Sequence, residues 1–466
     1  MHNFDTALNT CFKAYDIRGK VPDPLSPEIC YALGQALVDI LQVKKVVLGR
    51  DIRLSGPLLR EALALGLLSR GVSVHDYGVC GTEEIYFSVM HNPSFDVGIM
   101  ITGSHNPKDE NGIKLIRSGC IPISSDSGLL DLKARVKELI PTILPIKINK
   151  NLLPLPPISL RNNYVDWILK HTNQNEMRDH KPIKILANLG NGAADCFFSE
   201  MCQKLPYHID FINKQPDGNF PNGVPNPLLP ENRDSTINAM LKSKADIGVA
   251  WDGDFDRCFF FDALGNFVEG YYIVGMIAEE MLRTHPGEKI VHDPRLYWNT
   301  QDIVQKMGGI SVMSKTGHAF MKERMRAENA LYGGEMSAHH YFRDFAYCDS
   351  GILPFFYVTH LLRKTGKSLN EFIAERIKLF PCSGEINRTV YNADAIIDLV
   401  QQHYAPNATL VDTLDGINLE FKDWRFNLRK SNTEPLLRLN LETRGNKALM
   451  QDKTDEILQF IEKHNQ

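Results

Sequence analysis

The chain has 466 residues, of which 43% are hydrophobic and 23% charged, so a disordered tail, a collagen-like rod and a coiled-coil rod are excluded. At roughly 150 residues per domain, this length predicts about three domains, with two or four within reach. The 52 Lys and Arg residues nearly balance the 56 Asp and Glu residues, giving a net charge of −4. This balance argues against a nucleic-acid or membrane-surface partner, so any anion site must be local.

The first residues lack a basic start followed by an apolar stretch, so we expect no secretory signal. No segment reaches the roughly 18 uninterrupted apolar residues that a membrane span needs. The nine cysteines are scattered and form no Cys-x-x-Cys pair, which argues against a disulfide framework or a zinc knuckle. We therefore predict a cytoplasmic protein.

Short runs rich in Val and Ile alternate with helix-length amphipathic stretches, a pattern typical of α/β layers. Three pairs of such runs recur in order: 45–51 with 95–102, 183–188 with 245–251, and 289–293 with 330–334. Asp-Val-Gly-Ile at 96 and Asp-Ile-Gly-Val at 246 nearly repeat, and a polar loop follows each second run. The sequence therefore predicts three copies of one α/β unit, each with a ligand-binding loop at the end of a buried strand.

Proline-rich segments at 141–157 and around 380–384 separate these units, and the last ~90 residues predict a smaller α+β domain. The predicted domains are residues 1–152, 153–262, 263–378 and 379–466, arranged around one central cleft.

The first polar loop, Thr102-Gly-Ser-His-Asn-Pro107, follows an apolar strand and is closed by a proline. It predicts a stiff, exposed Ser104 beside His105, and such a serine is a candidate nucleophile or phosphate carrier. The alternative is an ordinary turn, in which Gly, Ser and Asn are common. Lys114 returns after a turn and could approach the serine, although taken alone it fits a solvated surface charge better.

The second loop places Asp252, Asp254 and Asp256 at alternate positions after a strand. Three negative charges in one loop are costly unless a hard cation accepts oxygen ligands. An EF-hand is excluded because its sixth position needs Gly and its twelfth Glu, whereas this chain has Arg257 and Ala263. The loop therefore predicts Mg²⁺ with Arg257 beside a phosphate oxygen, and an acidic turn is the alternative.

The third loop has Glu335, Ser337 and His339 at alternate positions, so that all three could point to one side and bind sugar hydroxyls. The fourth, from Arg429 to Pro435, offers a cation, hydroxyls and turn-forming backbone, and resembles an anion cradle. A basic surface turn is its alternative. Together the four loops predict phosphoryl chemistry on a sugar phosphate, with transfer and hydrolysis both open.

These four loops, with Lys13-Ala-Tyr-Asp-Ile-Arg-Gly19, resemble the α-D-phosphohexomutase superfamily in order and over essentially the whole chain. The segments 334–351 and 423–429 are similar to bacterial phosphomannomutases that supply GDP-mannose for surface polysaccharides. The chain departs from the family pattern at Gly103, where alanine is commoner, and at Phe255, where glycine is common.

The resemblance implies a phosphoserine at Ser104, which also provides an oxygen to Mg²⁺ beside the three aspartates. It implies Lys114 as general acid/base, with Arg18 and His105 near the phosphoserine and Arg257 beside the metal. The implied substrate-binding residues are Arg295, His318, Glu335, Ser337, His339, Arg429, Ser431, Asn432 and Thr433.

The implied reaction converts mannose 6-phosphate to mannose 1-phosphate through a 1,6-bisphosphate, with hexose 1,6-bisphosphate as activator. The alternatives are a phosphoglucomutase or dual-specificity hexomutase, a Mg²⁺-dependent sugar phosphatase and a non-catalytic sugar-phosphate binder. We expect a phosphorylated hexose as the partner, no nucleic acid or membrane, and a monomer or homodimer.

Overall fold

The computed structural model describes residues 4–143, 153–172, 182–205, 207–430 and 436–465. Residues 144–152 of the predicted first linker lie outside this described part. The chain divides into two compact units, Met1–Phe267 with Asp344–Lys364 and Val268–Arg343 with Thr365–Gln466.

The first sheet of the first unit has strands β1 (Ile17–Lys20), β2 (Lys45–Arg50), β3 (Ser73–Val79), β4 (Val97–Ile101), β5 (Glu110–Arg117) and β6 (Ile121–Pro122). Its helices are α1 (Phe4–Cys11), α2 (Pro27–Leu41), α3 (Gly56–Leu68), α4 (Thr82–His91) and α5 (Leu129–Leu139). The strands pair in the order β1-β5-β4-β2-β3, with β6 on β5. Strand β2 is parallel to β3 and β4, whereas β5 is antiparallel to β4 and β1.

The second sheet of this unit is built from β7 (Lys184–Asn188), β8 (His208–Ile212), β9 (Ile247–Trp251), β10 (Cys258–Phe261) and β11 (Phe267–Val268). Its helices are α6 (Arg161–His171), α7 (Ala194–Cys202) and α8 (Asp234–Ser243). Strand β7 is parallel to β8 and β9, and β10 is antiparallel to β9. All five residues of β9 are buried, so the loop that follows it starts inside the protein.

Farther along the chain come helices α9 (Gly270–Thr284), α10 (Trp298–Lys306) and α11 (His318–Glu328), with strands β12 (Lys289–His292), β13 (Ile310–Met313), β14 (Tyr332–Gly334) and β15 (His340–Phe342). Strand β12 is parallel to β13 and β14, and β15 is antiparallel to β14. Strand β16 (Cys348–Asp349) and most of helix α12 (Ile352–Thr365) belong to the first unit, and α13 (Leu369–Leu379) to the second.

The three sheets confirm the predicted repeat. In each, the two runs singled out in the sequence are neighbouring parallel strands: β2 with β4, β7 with β9, and β12 with β14. An antiparallel strand then follows beyond the polar loop in every copy. Each loop therefore lies at the carboxyl end of an inner strand, where open α/β sheets place ligands.

The last sheet of the second unit is antiparallel, with β17 (Cys382–Thr389), β18 (Leu410–Asp412), β19 (Ile417–Glu420), β20 (Trp424–Lys430) and β21 (Leu436–Thr443). The strands pair in the order β17-β21-β20-β19-β18, and helices α14 (Ala393–Tyr404) and α15 (Lys447–His464) pack on them through one apolar cluster. The predicted smaller α+β domain is confirmed.

Short 3-10 turns occupy Ser118–Cys120, Ser125–Ser127, Ile140–Thr142, Pro230–Asn232, Arg343–Phe345 and Ala405–Asn407. None of the helices in the described ranges is long and apolar enough to span a bilayer.

Candidate active site

Ser104 follows β4 in the left-handed region, with φ of 48°, and is 2% exposed. Its hydroxyl donates a hydrogen bond to Asp252 Oδ2 at 2.7 Å and accepts one from Arg257 Nη2 at 3.0 Å. A Cβ at Gly253 would lie 2.6 Å from the Ser104 carbonyl oxygen. The first polar loop, residues 102–107 and hereafter the serine loop, therefore approaches the loop after β9 backbone to backbone. The prediction of an exposed serine was therefore wrong, because the second loop covers the first.

Two charged residues that follow β2, Asp51 and Arg53, hold the serine loop from behind. Asp51 Oδ2 accepts hydrogen bonds from Thr102 Oγ1 at 2.8 Å and the Gly103 N–H at 3.2 Å. The buried Arg53 guanidinium donates to four backbone carbonyls between residues 104 and 110, at 2.5–2.9 Å. Sequence reasoning missed both residues, although charges directly after a buried strand were the same signal that singled out the aspartates.

The segment 252–256, hereafter the aspartate loop, brings its three carboxylates together in the interior. One carboxylate oxygen from each of Asp252, Asp254 and Asp256 lies within 4.8 Å of the others, and all three residues are fully buried. Asp252 is paired with Arg257, whose Nη2 lies 2.7 Å from Oδ2. In the described part of the chain, Oδ1 of Asp254 and Oδ1 of Asp256 are buried without a hydrogen-bond partner. Such oxygens fit a hard divalent cation.

Lys114, on β5, is 5% exposed, so the solvated-surface alternative was wrong. Its Nζ lies 2.7 Å from Asp254 Oδ2 and 2.5 Å from Asp256 Oδ2. Burial favours the neutral amine, but the two carboxylates outweigh it and hold the pKa of Lys114 above its ordinary value. Burial and the Asp254 carboxylate raise the pKa of Asp256, whereas Lys114 overcomes burial and lowers the pKa of Asp254.

Arg18 and His105 complete the group in the first unit. Arg18 lies on β1, and its Nη1 donates to Asn106 Oδ1 in the serine loop at 3.2 Å. His105 Nδ1 lies 3.2 Å from the Ser104 hydroxyl and also contacts Arg257 Nη2. The structure therefore brings together all the predicted catalytic and metal-binding residues: Arg18, Ser104, His105, Lys114, Asp252, Asp254, Asp256 and Arg257.

In the second unit, Arg295 lies at the centre of a separate polar group. Its Nη2 donates to Asp293 Oδ2 at 2.7 Å and to the Ser337 hydroxyl at 3.1 Å, and it lies 3.6 Å from Glu335 Oε1. Glu335 is held in turn by the Gly317 N–H at 2.9 Å and the Tyr341 hydroxyl at 2.6 Å. These contacts orient a carboxylate and a hydroxyl for a polar ligand.

The loop that carries Glu335, Ser337 and His339 is a turn. The Ala338 N–H donates to the Glu335 carbonyl at 3.0 Å, and the Glu335 N–H donates to the His339 carbonyl at 2.9 Å. The His339 ring still lies near His318, the first residue of α11, with ring centroids 6.4 Å apart. The turn therefore places Ser337 beside Arg295 and His339 near His318.

Arg429, near the end of β20, faces Arg438 across the β20–β21 ladder. Like charges directly opposite each other destabilise a sheet unless an anion lies between them. Glu385 supplies one: its carboxylate lies 3.1 Å from Arg438 and 3.4 Å from both Arg429 and Arg295. Burial and the nearby Arg295 charge still lower the pKa of Arg429, so this group favours a further anion.

Sequence reasoning missed Arg438 and Glu385, because only the sheet register places them beside Arg429. The predicted residues Ser431, Asn432 and Thr433 lie outside the described residues.

Comparison with protein families matches four segments in order. Residues 9–138, 162–265 and 269–380 match the alpha/beta/alpha domains I, II and III of phosphoglucomutase/phosphomannomutase, and residues 385–459 match its C-terminal domain.

The chain is also similar to curated proteins over nearly its full length. It is 50% identical over 459 residues to a phosphomannomutase of Salmonella montevideo, covering 97% of this chain and 99% of that protein. It is 49% identical over 451 residues to the phosphohexose mutases of Xanthomonas campestris pv. campestris, covering 97% and 98%. A crystal structure of a phosphoglucomutase/phosphomannomutase family protein from Burkholderia thailandensis matches with a TM-score of 0.83, at 28% identity, over 98% of both chains.

Proposed function

This chain belongs to the phosphoglucomutase/phosphomannomutase family, and we propose that it interconverts mannose 6-phosphate and mannose 1-phosphate. As a member of this family it is a phosphohexose mutase, an isomerase. Relatives about half identical to it carry the name phosphomannomutase, which supports mannose as the sugar. We further propose that its product supplies GDP-mannose for polysaccharide synthesis. The relative named phosphohexose mutases favours a second candidate, a dual-specificity enzyme that also accepts glucose phosphates.

The observation that carries the proposal is the environment of the Ser104 hydroxyl. It is buried between Asp252 and Arg257, at 2.7 and 3.0 Å, with a cluster of carboxylates and a lysine beside it. Arg257 can neutralise a phosphoryl group attached to the serine oxygen, and exclusion of water protects that group from hydrolysis. Ser104 is therefore the proposed phosphoryl carrier.

The reaction that we propose needs two transfers. The phosphoryl group leaves the Ser104 oxygen for the free hydroxyl of the hexose monophosphate, giving the 1,6-bisphosphate. After the bisphosphate turns over, its other phosphoryl group returns to Ser104, so the sugar leaves as the isomer and the enzyme is regenerated. Free hexose 1,6-bisphosphate would phosphorylate a Ser104 that had lost its group, which accounts for an activator role.

Asp252, Asp254 and Asp256 would hold Mg²⁺ together with an oxygen on Ser104. The buried Oδ1 atoms of Asp254 and Asp256, which have no hydrogen-bond donor in the described residues, fit that ion, because such an oxygen is costly in the interior. When bound, Mg²⁺ would neutralise the charge that develops on the transferring phosphoryl group.

Lys114 is the proposed general acid/base. The two carboxylates beside it hold it in the ammonium form, so it can give a proton to the serine oxygen as the phosphoryl group leaves, and the proton lost by the attacking sugar hydroxyl then restores the ammonium. Arg18 and His105, which contact the serine loop and the serine, orient the phosphoryl group.

In the second unit, Glu335, Ser337 and His339 are proposed to bind the sugar hydroxyls, with Arg295 and His318 beside them. Arg429 is proposed to grip the phosphate that does not react, with Ser431, Asn432 and Thr433, which lie outside the described residues. The cross-strand arginines and the Glu385 carboxylate that they share support an anion site there.

We also propose domain limits at residues 152/153, 262/263 and 378/379, a cytoplasmic location, and a monomer or homodimer without nucleic-acid or membrane partners.

A coupled assay tests the function. Mannose 1-phosphate, Mg²⁺ and a trace of glucose 1,6-bisphosphate should yield mannose 6-phosphate, and the rate with glucose 1-phosphate decides between the two candidates. Release of inorganic phosphate in place of isomer would indicate a sugar phosphatase. Intact-mass measurement should find one phosphate on the natural chain and none on Ser104→Ala, which should be folded but inactive. Isomer formation by Ser104→Ala above background would refute the proposed carrier.

A further inference from the structure

The start of helix α4 contacts the aspartate loop at Asp254. Thr82, the first residue of α4, is fully buried, and its hydroxyl donates a hydrogen bond to Asp254 Oδ2 at 2.5 Å. The Thr82 N–H also donates to the Asp254 carbonyl at 3.1 Å. Thr82, on a helix of the first sheet, therefore contacts both the backbone and the side chain of Asp254, which follows strand β9 of the second sheet.

The next residue of the loop is fixed on the same helix. Phe255 is fully buried and left-handed, with φ of 45°, and its ring fills the space that a Cβ at Gly81 would need. A bulky residue in this backbone conformation is strained, and it persists only where the surroundings hold it in place. The α4 start and the Phe255 ring together fix the loop on both sides of the Asp254–Phe255 peptide.

The two oxygens of Asp254 are thereby made unequal. Oδ2 receives two donors, the Thr82 hydroxyl and the Lys114 ammonium, which lies 2.7 Å away. Oδ1 is buried and has no hydrogen-bond partner in the ranges that the structure describes. A carboxylate with one oxygen satisfied and the other bare presents the bare oxygen to a cation in a fixed orientation.

We propose that Thr82 is a positioning residue, which orients Asp254 so that its Oδ1 is available to a divalent cation. The inference rests on the proposed magnesium site and adds a residue from outside the four polar loops. Hydrogen-bond partners of metal ligands typically contribute 10- to 100-fold in metal affinity or activity. Loss of the Thr82 hydroxyl should therefore weaken cation binding even when the three aspartates are intact.

Isothermal titration of the full chain with MgCl₂ tests this without an activity readout. Thr82→Val keeps the side-chain shape and removes the hydroxyl, so the Mg²⁺ dissociation constant should rise roughly 10- to 100-fold. Thr82→Ser keeps the hydroxyl and should stay within about threefold of the natural chain. If the valine variant does not fold by circular dichroism, Thr82→Ala replaces it.

Thr359→Val is the matched control. Thr359 is also fully buried in the first unit, and its hydroxyl donates to the Phe355 carbonyl at 2.7 Å within α12. This variant loses a hydrogen bond by the same substitution away from the aspartate loop, so its Mg²⁺ affinity should be unchanged.

The possible failures are distinguishable. Equal Mg²⁺ affinity in the natural chain and Thr82→Val would overturn the role of Thr82 and leave the magnesium site standing. Equal weakening in Thr359→Val would also overturn it, because the effect would then follow from lost stability. No Mg²⁺ binding to the natural chain would overturn the magnesium site itself, and this inference with it.

Discussion

Removing one partner of the buried ion pair between Arg425 and Glu442 is expected to destabilise the second unit strongly. The two residues are cross-strand partners on β20 and β21, both fully buried, with Nη1 2.8 Å from Oε1. The same Glu442 oxygen accepts the Tyr297 N–H at 2.8 Å, and Arg425 Nη2 donates to the Pro294 carbonyl at 2.8 Å. The pair therefore joins the last sheet to the segment that carries Arg295.

Glu442→Gln keeps the shape and one acceptor oxygen but removes the carboxylate charge that pairs directly with Arg425. Breaking a buried pair in this way costs about 3–5 kcal/mol. An exposed pair of the same unit, Arg283 with Glu279 at 2.9 Å, provides the control, because Glu279→Gln should cost about 0.5 kcal/mol or less.

Hydrogen exchange of peptides from β20 and β21, followed by mass spectrometry, measures the loss of unfolding free energy in the second unit alone. A loss of about 3 kcal/mol speeds exchange through opening of this unit by roughly 100-fold. The loss in the double variant Arg425→Gln, Glu442→Gln should be smaller than the sum of the two single losses, because no unpaired charge remains. A single-variant loss below about 1 kcal/mol, or strict additivity, would refute the reasoning.

Three further predictions concern the loops and the sheet beneath them. Phe255→Ala should lower the free energy of unfolding in urea by about 3–5 kcal/mol, because the ring is fully buried. Phe255→Gly should be at least as stable as Phe255→Ala, since glycine adopts φ of 45° without strain. A glycine variant clearly less stable than the alanine variant would contradict this. Burial lowers the pKa of His340 to about 3, so the folded protein keeps this imidazole neutral, whereas the unfolded chain protonates it below pH about 6.5. The stability that neutral His340 contributes is therefore fully present above pH about 6.5 and is lost as the pH falls towards 3. This contributes about 2 kcal/mol between pH 7.5 and 5, and His340→Asn should show a correspondingly smaller fall in thermal midpoint over that range; an equal fall would count against it. Asp254→Asn should weaken Mg²⁺ binding in titration by removing an anionic ligand, and an unchanged curve would argue against this loop as the metal site.

The sequence was sufficient for the repeated sheets and for the composition of the site in the first unit. Strand runs such as 95–102 and 245–251 are apolar and end in polar loops. General rules of α/β folds therefore predict that these loops lie at the carboxyl ends of neighbouring parallel strands. The same rules pointed to Ser104 and to the aspartates. The roles of these residues and the domain limits stay predictions.

Burial and long-range contacts could not be predicted in this way. Ser104 lies in a polar loop and Lys114 on strand β5, and their contacts with the aspartate loop make both of them interior residues. Arg438 and Glu385 have no local signal, because their importance comes from strand register. Thr82 resembles an ordinary first residue of a helix until its hydroxyl is found on Asp254.

The hydrogen bonds from Arg53 determine how the serine loop would accommodate the proposed phosphoryl group on Ser104. The Arg53 guanidinium donates to four backbone carbonyls between residues 104 and 110, whereas the Ser104 hydroxyl is hydrogen-bonded to Asp252 and Arg257. The backbone path is thus set by contacts that a group attached to the hydroxyl does not replace. If Ser104 carries the proposed phosphoryl group, the loop can gain and lose that dianion while its backbone keeps the same path.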